Sequence, residues 1–224
     1  MQIRNLHSWQ VTIDQARAIQ RRLVTLISTK NEIISPQLIA GVDIAAPNAQ
    51  GIATGAVVVL SYPQLNLLEV KVAKQKVSFP YVPGFLSFRE LPPILSACEK
   101  LLKDPDLVLV DGQGMAHPRR FGLASHLGLL LNIPTIGCAK SRLCGTHETV
   151  KESAGSFAEL RDGDEIIGAV VRTKDRVKPL YISAGHKTDL ETAIFWALEC
   201  CRGYRVTEPT RLAHLAAAGR LERI

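Results

Sequence analysis

Val108-Leu109-Val110-Asp111-Gly112-Gln113-Gly114 is a short apolar run that ends in an acid and passes at once into a glycine-rich turn. We predict a buried β-strand from Asp106 to Val110, because the run is branched and is bounded by Pro105 and Gly112. An unpaired carboxylate is costly to bury, so an acid at the end of such a strand indicates a functional group. α/β proteins place metal and phosphate chemistry at this end of their central strands, which makes Asp111 a candidate ligand.

A second apolar strand with one acid inside it occurs earlier, at Leu38-Ile39-Ala40-Gly41-Val42-Asp43-Ile44. Taken alone, Asp43 has an alternative interpretation as a strand acid that pairs with an arginine. Two acid-bearing strands in one small domain predict a metal site instead, because Mg²⁺ prefers oxygen ligands and keeps several waters, so that two or three carboxylates suffice.

Hydrophobic spacing and turn residues predict the order β-β-β-α-β-α-β after an opening amphipathic helix. Three strands joined by short links are antiparallel, and the later strands follow through right-handed crossovers. This is the order of ribonuclease H-like folds, so we expect an α/β protein with a mixed central sheet flanked by helices. In that fold the first strand lies beside the fourth, which would bring Asp43 and Asp111 together. The predicted elements are a helix from Ile13 to Ile27, strands at about Leu38 to Ala45, Gly51 to Ser61 and Leu65 to Ala73, a helical segment to about Leu102, the strand ending at Val110, a helix from Phe121 to Leu131, strands at Pro134 to Ala139, Glu165 to Arg172 and Pro179 to Ser183, and helices at Asp189 to Cys201 and Glu208 to Ala218.

Composition and charge narrow the class of protein. With 224 residues, 46% of them hydrophobic, the chain is long enough for a sizeable core, and one domain spanning 1–224 is expected. Its apolar runs are too short to span a bilayer, so no membrane partner is expected. Five cysteines without a CxxC pair, and no secretory pattern at the start, predict reduced thiols and a cytoplasmic location. The net charge of +6 favours a nucleic acid partner, and a monomer is expected.

Glu90 is the third candidate acid, and it has two interpretations. With Asp43 and Asp111 it completes a set of three carboxylates that can hold a divalent metal for phosphodiester hydrolysis. Alternatively, Ser87 and Glu90 form a capping box, with Ser87 as the N-cap and Pro92 near the helix start. We favour the functional interpretation for both Glu90 and Asp111.

Three further residues could take part in the chemistry. Lys140 ends an apolar strand beside the predicted acids, where its ammonium could meet a phosphate or transition-state charge. His214 follows a helix-opening Glu-Pro-Thr and could orient a water, bind metal or approach the scissile phosphate, although a single helix histidine is more often an ordinary polar residue. His117 is interpreted as a loop-shaping residue or a pocket wall.

The loop Pro80-Tyr81-Val82-Pro83-Gly84 presents an apolar and aromatic tip between two prolines. Prolines restrict the backbone and would hold Tyr81 and Val82 in one presentation. Such a tip suits insertion into a base stack, as in proteins that unstack duplexes with apolar wedges. The alternative is a rigid turn whose tyrosine packs on the core.

Five ordered segments of the chain resemble the endonuclease V family, the deoxyinosine-directed nucleases, over nearly its full length. The first two are Ala40 to Asp43 and Phe79 to Glu90, and the third is Val110 to Arg119. The last two are Pro134 to Leu143 and Glu208 to Arg211, whereas the segment from Thr146 to Ala158 matches no part of the family pattern.

The resemblance implies a ribonuclease H-like fold and Mg²⁺ as cofactor, for which Mn²⁺ can substitute. It implies hydrolysis of the second phosphodiester bond 3′ to a hypoxanthine nucleotide, leaving 3′-hydroxyl and 5′-phosphate ends. It further implies that Asp43, Glu90 and Asp111 hold the metal with His214 nearby, and that Pro80 to Pro83 form a strand-separating wedge with Tyr81 against the bases. The pocket for the flipped base is placed at Gly84, Leu86, Gly112, His117, Leu123 and Gly137, with Ser141 beside it as a further substrate-binding residue.

Three functional hypotheses remain at this point. The leading one is a metal-dependent DNA repair endonuclease for deaminated adenine, whose partner is DNA containing deoxyinosine. The second is an endoribonuclease that acts mainly on inosine-containing RNA. The third is a module that recognises deaminated bases without cutting.

Overall fold

The computed structural model describes residues 1–221 and contains five α-helices and eight β-strands within them. A 3₁₀ turn, Val24–Leu26, follows the first helix. The helices are α1 (Ile13–Leu23), α2 (Leu86–Cys98), α3 (Leu123–Leu131), α4 (Leu190–Glu199) and α5 (Glu208–Ala217), and the strands are β1 (Leu38–Ala45), β2 (Ile52–Ser61), β3 (Leu67–Lys76), β4 (Leu107–Val110), β5 (Thr135–Ala139), β6 (Phe157–Asp162), β7 (Glu165–Val171) and β8 (Leu180–His186).

All eight strands form one mixed sheet in the order β3-β2-β1-β4-β5-β8-β7-β6. β1 to β3 are antiparallel, β4 and β5 continue parallel to β1, and β8, β7 and β6 complete the sheet in antiparallel pairs. The prediction that the first strand lies beside the fourth is confirmed. Val42 pairs with Val110 in this parallel register, so Asp43 and Asp111 are the next residues on neighbouring strands.

Two apolar cores lie on the two faces of the sheet. One includes residues of α4 and α5, and the other includes residues of α2 and α3. Two glycines allow helices to approach the strands closely. A Cβ on Gly41 of β1 would lie 2.0 Å from the carbonyl oxygen of Pro209 in α5, and one on Gly55 of β2 would lie 2.4 Å from that of Pro93 in α2. Backbone therefore packs directly on backbone where these helices cross the sheet.

The predicted boundaries were wrong at several elements. α1 ends at Leu23 instead of Ile27, because the chain tightens into the 3₁₀ turn. β6 was not predicted, since four of its six residues are exposed at the sheet edge and it carries little apolar alternation. None of the helices described in residues 1–221 is long and apolar enough to cross a membrane.

Candidate active site

Asp43 and Asp111 form the centre of an acidic cluster at the carboxyl ends of β1 and β4. Their side chains are only 10% and 12% exposed, respectively. Burial raises the pKa of Asp43 above its usual value, and the negative charge of Asp111 raises it further. The Asp111 carboxylate is thus close enough to Asp43 to disfavour the negative charge on Asp43.

Glu90 faces the same cluster from α2. Burial, followed by the charges of Asp43 and Asp111, raises the pKa of Glu90 to about 8. The glutamate therefore carries a proton for much of the time at neutral pH, which limits the repulsion among three acids. The capping-box alternative was wrong: α2 begins at Leu86 after Phe85, without a side-chain cap, so that Ser87 lies inside the helix.

Lys140 and His214 each contact one carboxylate of the acidic cluster. The Lys140 ammonium, just past the end of β5, donates to Oδ2 of Asp111. Nδ1 of His214, on α5, lies 2.8 Å from Oδ2 of Asp43, and the Ile44 backbone N–H donates to the other oxygen. The partner of Asp43 is thus a histidine, and the arginine of the alternative interpretation is not found among its contacts.

The three acids fit a divalent cation by the chemistry and charge of the donor set. Carboxylate oxygens are hard ligands, and a bound cation would relieve the repulsion among them. In residues 1–221, however, no group of three or more His, Cys, Asp or Glu side chains is arranged as a formed metal site. Lys140 and His214 instead occupy one oxygen each of Asp111 and Asp43.

A cavity of about 290 Å³ opens directly beside the acidic cluster, and Asp111 lines it. Two of the predicted pocket and wedge residues do not line it. The backbone of Gly137 packs under the loop at Gly112 to Gly114, and Pro80 faces Trp9 on the far side of the loop from Pro80 to Gly84. The predicted residues that do line the cavity are Tyr81, Val82, Pro83, Gly84, Leu86, Gly112, His117, Leu123 and Ser141.

The carbonyl oxygen of Gly84 is the most heavily hydrogen-bonded group of the cavity rim. Gln20 donates to it at 3.0 Å, Arg119 at 2.6 Å and His117 through Nε2 at 3.0 Å. Nδ1 of His117 accepts from the Arg119 backbone N–H, so the ring is neutral, and burial lowers the pKa of His117 to about 4. The rim is therefore held rigidly by side chains from two distant segments.

Ser87 enters the cavity wall at the end of a hydrogen-bonded chain of histidines. His7 Nδ1 contacts the Ser8 carbonyl at 2.8 Å, so in its neutral form this nitrogen donates and Nε2 accepts. His126 Nε2, 2.7 Å away, must then donate to His7. Burial lowers the pKa of His126 well below its usual value, so its Nδ1 is unprotonated and accepts from Ser87 at 3.0 Å. The Ser87 hydroxyl hydrogen is thus turned away from the cavity.

The loop from Pro80 to Gly84 presents Tyr81 to solvent, with the residue 72% exposed. The alternative, in which this tyrosine packs on the core, was wrong. The buried aromatic residues at the ends of this loop are Phe79 and Phe85, and Val82 packs against the apolar cluster that they form. These buried side chains therefore anchor the loop, while the Tyr81 side chain remains exposed to solvent.

Sequence reasoning missed several cavity residues. Gln20 comes from α1, 64 residues before the Gly84 carbonyl that it contacts, and no local pattern indicates such a contact. Gln113 lies inside the motif Asp111 to Gly114, where its position between two glycines was an available signal. The other missed lining residues include Phe121, Arg142 and Leu143.

Fold and site together define a class: a ribonuclease H-like α/β protein with a carboxylate cluster at the end of its central parallel strands. The family model for endonuclease V matches residues 20–215, and the chain belongs to the endonuclease V family. It is therefore an endonuclease that acts on phosphodiester bonds, and enzymes of this family are metal-dependent nucleases.

Three comparisons illustrate the similarity. Endonuclease V of Dehalococcoides mccartyi is 50% identical over 218 residues, which cover 97% of this chain and 98% of that protein. The crystal structure of endonuclease V from Streptomyces avermitilis has a TM-score of 0.90 at 38% identity and covers 98% of this chain and 97% of that one. Endonuclease V of Ciona intestinalis has a TM-score of 0.81 at 30% identity over 93% of this chain and 98% of that one, and was solved with a 23-mer DNA containing an inosine followed by a ribo-adenosine.

Proposed function

We propose that this enzyme is a DNA repair endonuclease for deaminated adenine. It recognises deoxyinosine and hydrolyses the second phosphodiester bond 3′ to it, leaving 3′-hydroxyl and 5′-phosphate ends. The observation that carries the proposal is that Asp111 belongs both to the acidic cluster and to the wall of the cavity. At about 290 Å³ the cavity is near the lower limit of small-molecule sites, about 300 Å³, which suits a single base.

Asp43, Glu90 and Asp111 would hold the metal, for which we propose Mg²⁺, with Mn²⁺ as a substitute. When bound, the metal would activate a water, neutralise the phosphate and stabilise the leaving oxygen. The Lys140 ammonium lies beside Asp111, where a phosphate can meet it. His214 fixes the orientation of Asp43 through one oxygen, while the Ile44 N–H fixes the other.

The wedge and the cavity provide recognition. Tyr81 is exposed between two prolines and can stack on the bases next to the position that the flipped nucleotide vacates. The flipped base enters the cavity behind this tyrosine. Hypoxanthine lacks the exocyclic amine of guanine and carries a carbonyl where adenine has an amine. A tight pocket with fixed polar groups can reject both, at about 1–3 kcal/mol for each unmatched group.

Inosine-containing RNA is the second candidate substrate. The ribo-adenosine that follows the inosine in the Ciona intestinalis complex gives a specific reason to test it. Because the chain is an enzyme of a nuclease family, a module that recognises deaminated bases without cutting is not favoured. The predictions of a monomer, of a cytoplasmic location and of one domain over 1–224 stay predictions.

The test is a cleavage assay on end-labelled duplex DNA with one deoxyinosine, run beside a matched inosine RNA, with Mg²⁺ or with chelator. We expect a Mg²⁺-dependent nick at the second 3′ linkage, and its loss in Asp43→Asn and Asp111→Asn. Asp164→Asn, in the exposed β6–β7 turn, is the matched control and keeps the wild-type rate. Full activity of the two cluster variants, or a cut at another linkage, would contradict the proposal.

A further inference from the structure

The guanidinium of Arg205 joins two separate segments of the chain through their carbonyl oxygens. Arg205 lies in the loop between α4 and α5 and is half-buried. Its Nη2 donates to the carbonyl oxygen of Lys140 at 2.6 Å and to that of Pro179 at 3.0 Å. Its Nε donates to the carbonyl oxygen of Lys178 at 2.7 Å. One side chain thus connects the residue that follows β5 with the two residues that precede β8.

The sheet ends beside Lys140, so the backbone of this residue must be held from outside the sheet. The last paired residues of β5 and β8 at this end are Ala139 and Tyr181, and Lys140 comes directly after them. Pro179 has no backbone N–H, so it cannot extend the ladder with a donor of its own. The guanidinium of Arg205 supplies a donor here, and a charged donor makes hydrogen bonds roughly twice as strong as a neutral one.

The contacts of Arg205 are confined to backbone. Among residues 1–221 no ion pair involves Arg205, so no acid draws the guanidinium away from the three carbonyl oxygens. The backbone of Arg205 is itself fixed, because its carbonyl oxygen accepts from the Thr173 hydroxyl. The next carbonyl after that of Lys140, which belongs to Ser141, accepts from Nε2 of Gln113 at 2.8 Å. Side chains from two different loops therefore fix the turn that carries Lys140.

We propose that Arg205 is a positioning residue, which fixes the backbone of Lys140 and thereby directs the Lys140 ammonium toward Asp111 and the substrate phosphate. This inference rests on the proposed function, which gives Lys140 its place beside the phosphate. The ammonium that donates to Asp111 ends a long side chain that is 42% exposed. Because such a side chain has many rotamers of its own, it reaches one carboxylate reproducibly only when its backbone is held.

The variant Arg205→Met removes all three donors and keeps an unbranched side chain. Arg172→Met is the matched control, because Arg172 is also half-buried and its guanidinium also donates to three carbonyl oxygens, those of Lys151, Val177 and Val150. None of these three residues lines the cavity. We expect the single-turnover cleavage rate to fall about ten- to hundredfold in Arg205→Met, the cost of a small misplacement of a reacting group, and to stay at the wild-type value in Arg172→Met.

A double-mutant cycle with Lys140→Gln distinguishes positioning from a general loss of structure. If Arg205 acts through Lys140, Arg205→Met has no further effect on the rate in the Lys140→Gln background. We therefore expect the double variant to cut at the rate of Lys140→Gln alone. The proposal is overturned if Arg205→Met cuts at the wild-type rate, or if it lowers the rate by the same factor in both backgrounds.

A measurement without substrate tests the contact itself. A lysine ammonium held against a carboxylate is protected from exchange, so ¹H–¹⁵N spectra at low temperature can detect it, and the Lys140 signal is the one that Lys140→Gln removes. We expect this signal in the wild type and in Arg172→Met, and its loss or shift in Arg205→Met. Arg205→Lys is a milder variant whose single ammonium cannot reach both segments, and we expect the same change there. A signal that is absent from the wild type, or unchanged in both Arg205 variants, overturns the proposal.

The outcomes separate this inference from the proposed function. If the wild-type enzyme leaves deoxyinosine DNA intact, the proposed function fails, while the spectra still report whether Arg205 holds Lys140. If the wild-type enzyme cuts that DNA and the Arg205 variants match it in rate and in signal, only the role of Arg205 is wrong.

Discussion

Replacing Gly41 by alanine tests whether the close approach of α5 to β1 sets the geometry of the acidic cluster. A Cβ at Gly41 would lie 2.0 Å from the Pro209 carbonyl oxygen, whereas ordinary van der Waals contact begins at 3.4 Å. Because backbone opposes backbone, α5 must retreat by about 1.4 Å, and over-packing of this kind costs about 1–3 kcal/mol of unfolding free energy.

The same displacement of α5 would alter the acidic cluster, because it would move His214. This histidine lies on α5, and its 2.8 Å contact with Asp43 does not survive a retreat of that size in the direction away from the sheet. A hydrogen bond to a charged group contributes about 1.5–3 kcal/mol, so we expect the cleavage rate of Gly41→Ala to fall about ten- to hundredfold, close to that of His214→Ala.

The assay is single-turnover cleavage of deoxyinosine DNA, with thermal denaturation measured on the same preparations. Leu60→Ala is a control matched for stability, because Leu60 is fully buried at the end of β2 far from Asp43 and its truncation costs about 2–5 kcal/mol. It should lower the melting temperature and keep the rate. If Gly41→Ala cuts at the wild-type rate, or if its effect is undiminished when His214 is already alanine, the reasoning is refuted.

Three further predictions concern acid stability, the wedge and the lysine. The pKa of His117 is about 4 in the folded state and about 6.5 in the unfolded chain, so the contribution of this residue to the unfolding free energy is fully present above pH 6.5 and about 3 kcal/mol of it is lost between pH 6.5 and 4. Melting temperatures at pH 7 and 4.5 should differ less for His117→Gln than for wild type, and an equal difference would contradict this. Tyr81→Ala should change the unfolding free energy by less than about 0.5 kcal/mol, because the side chain is exposed, and should weaken binding to deoxyinosine DNA about tenfold or more, because base stacking is lost. An unchanged affinity in a binding titration would exclude the role of Tyr81 as a wedge. Lys140→Gln should lower the single-turnover rate at least tenfold with little loss of stability, since its contact with Asp111 is partly exposed, and an unaltered rate would remove Lys140 from the chemistry.

The central strands could be predicted from sequence because they are locally unambiguous. β1 and β4 are apolar runs bounded by turn residues, and their parallel pairing follows from the order of elements. That pairing alone was enough to bring Asp43 and Asp111 together. β6 could not be found in the same way, because an edge strand with one buried residue in six lacks the alternation that marks a strand.

The cavity was predictable only in part, for a different physical reason. Cavity residues that lie within a sequence motif, such as Gly84 and Gly112, could be predicted together with that motif. Gln20 reaches the Gly84 carbonyl from α1 through tertiary packing alone, and its helix shows only an amphipathic pattern. Ser87 was misassigned because its spacing to Glu90 matches a capping box, whereas the structure uses its hydroxyl to contact a histidine buried in α3.

The contact between Asp43 and His214 joins positions 171 residues apart in the chain. During synthesis, the ribosome therefore delivers both acid-bearing strands long before the helix that supplies the imidazole. A polypeptide that is terminated before α5 has Asp43 without this partner, and it also lacks the helix that covers Gly41. The order of translation thus places completion of the acidic cluster after the synthesis of all eight strands of the sheet.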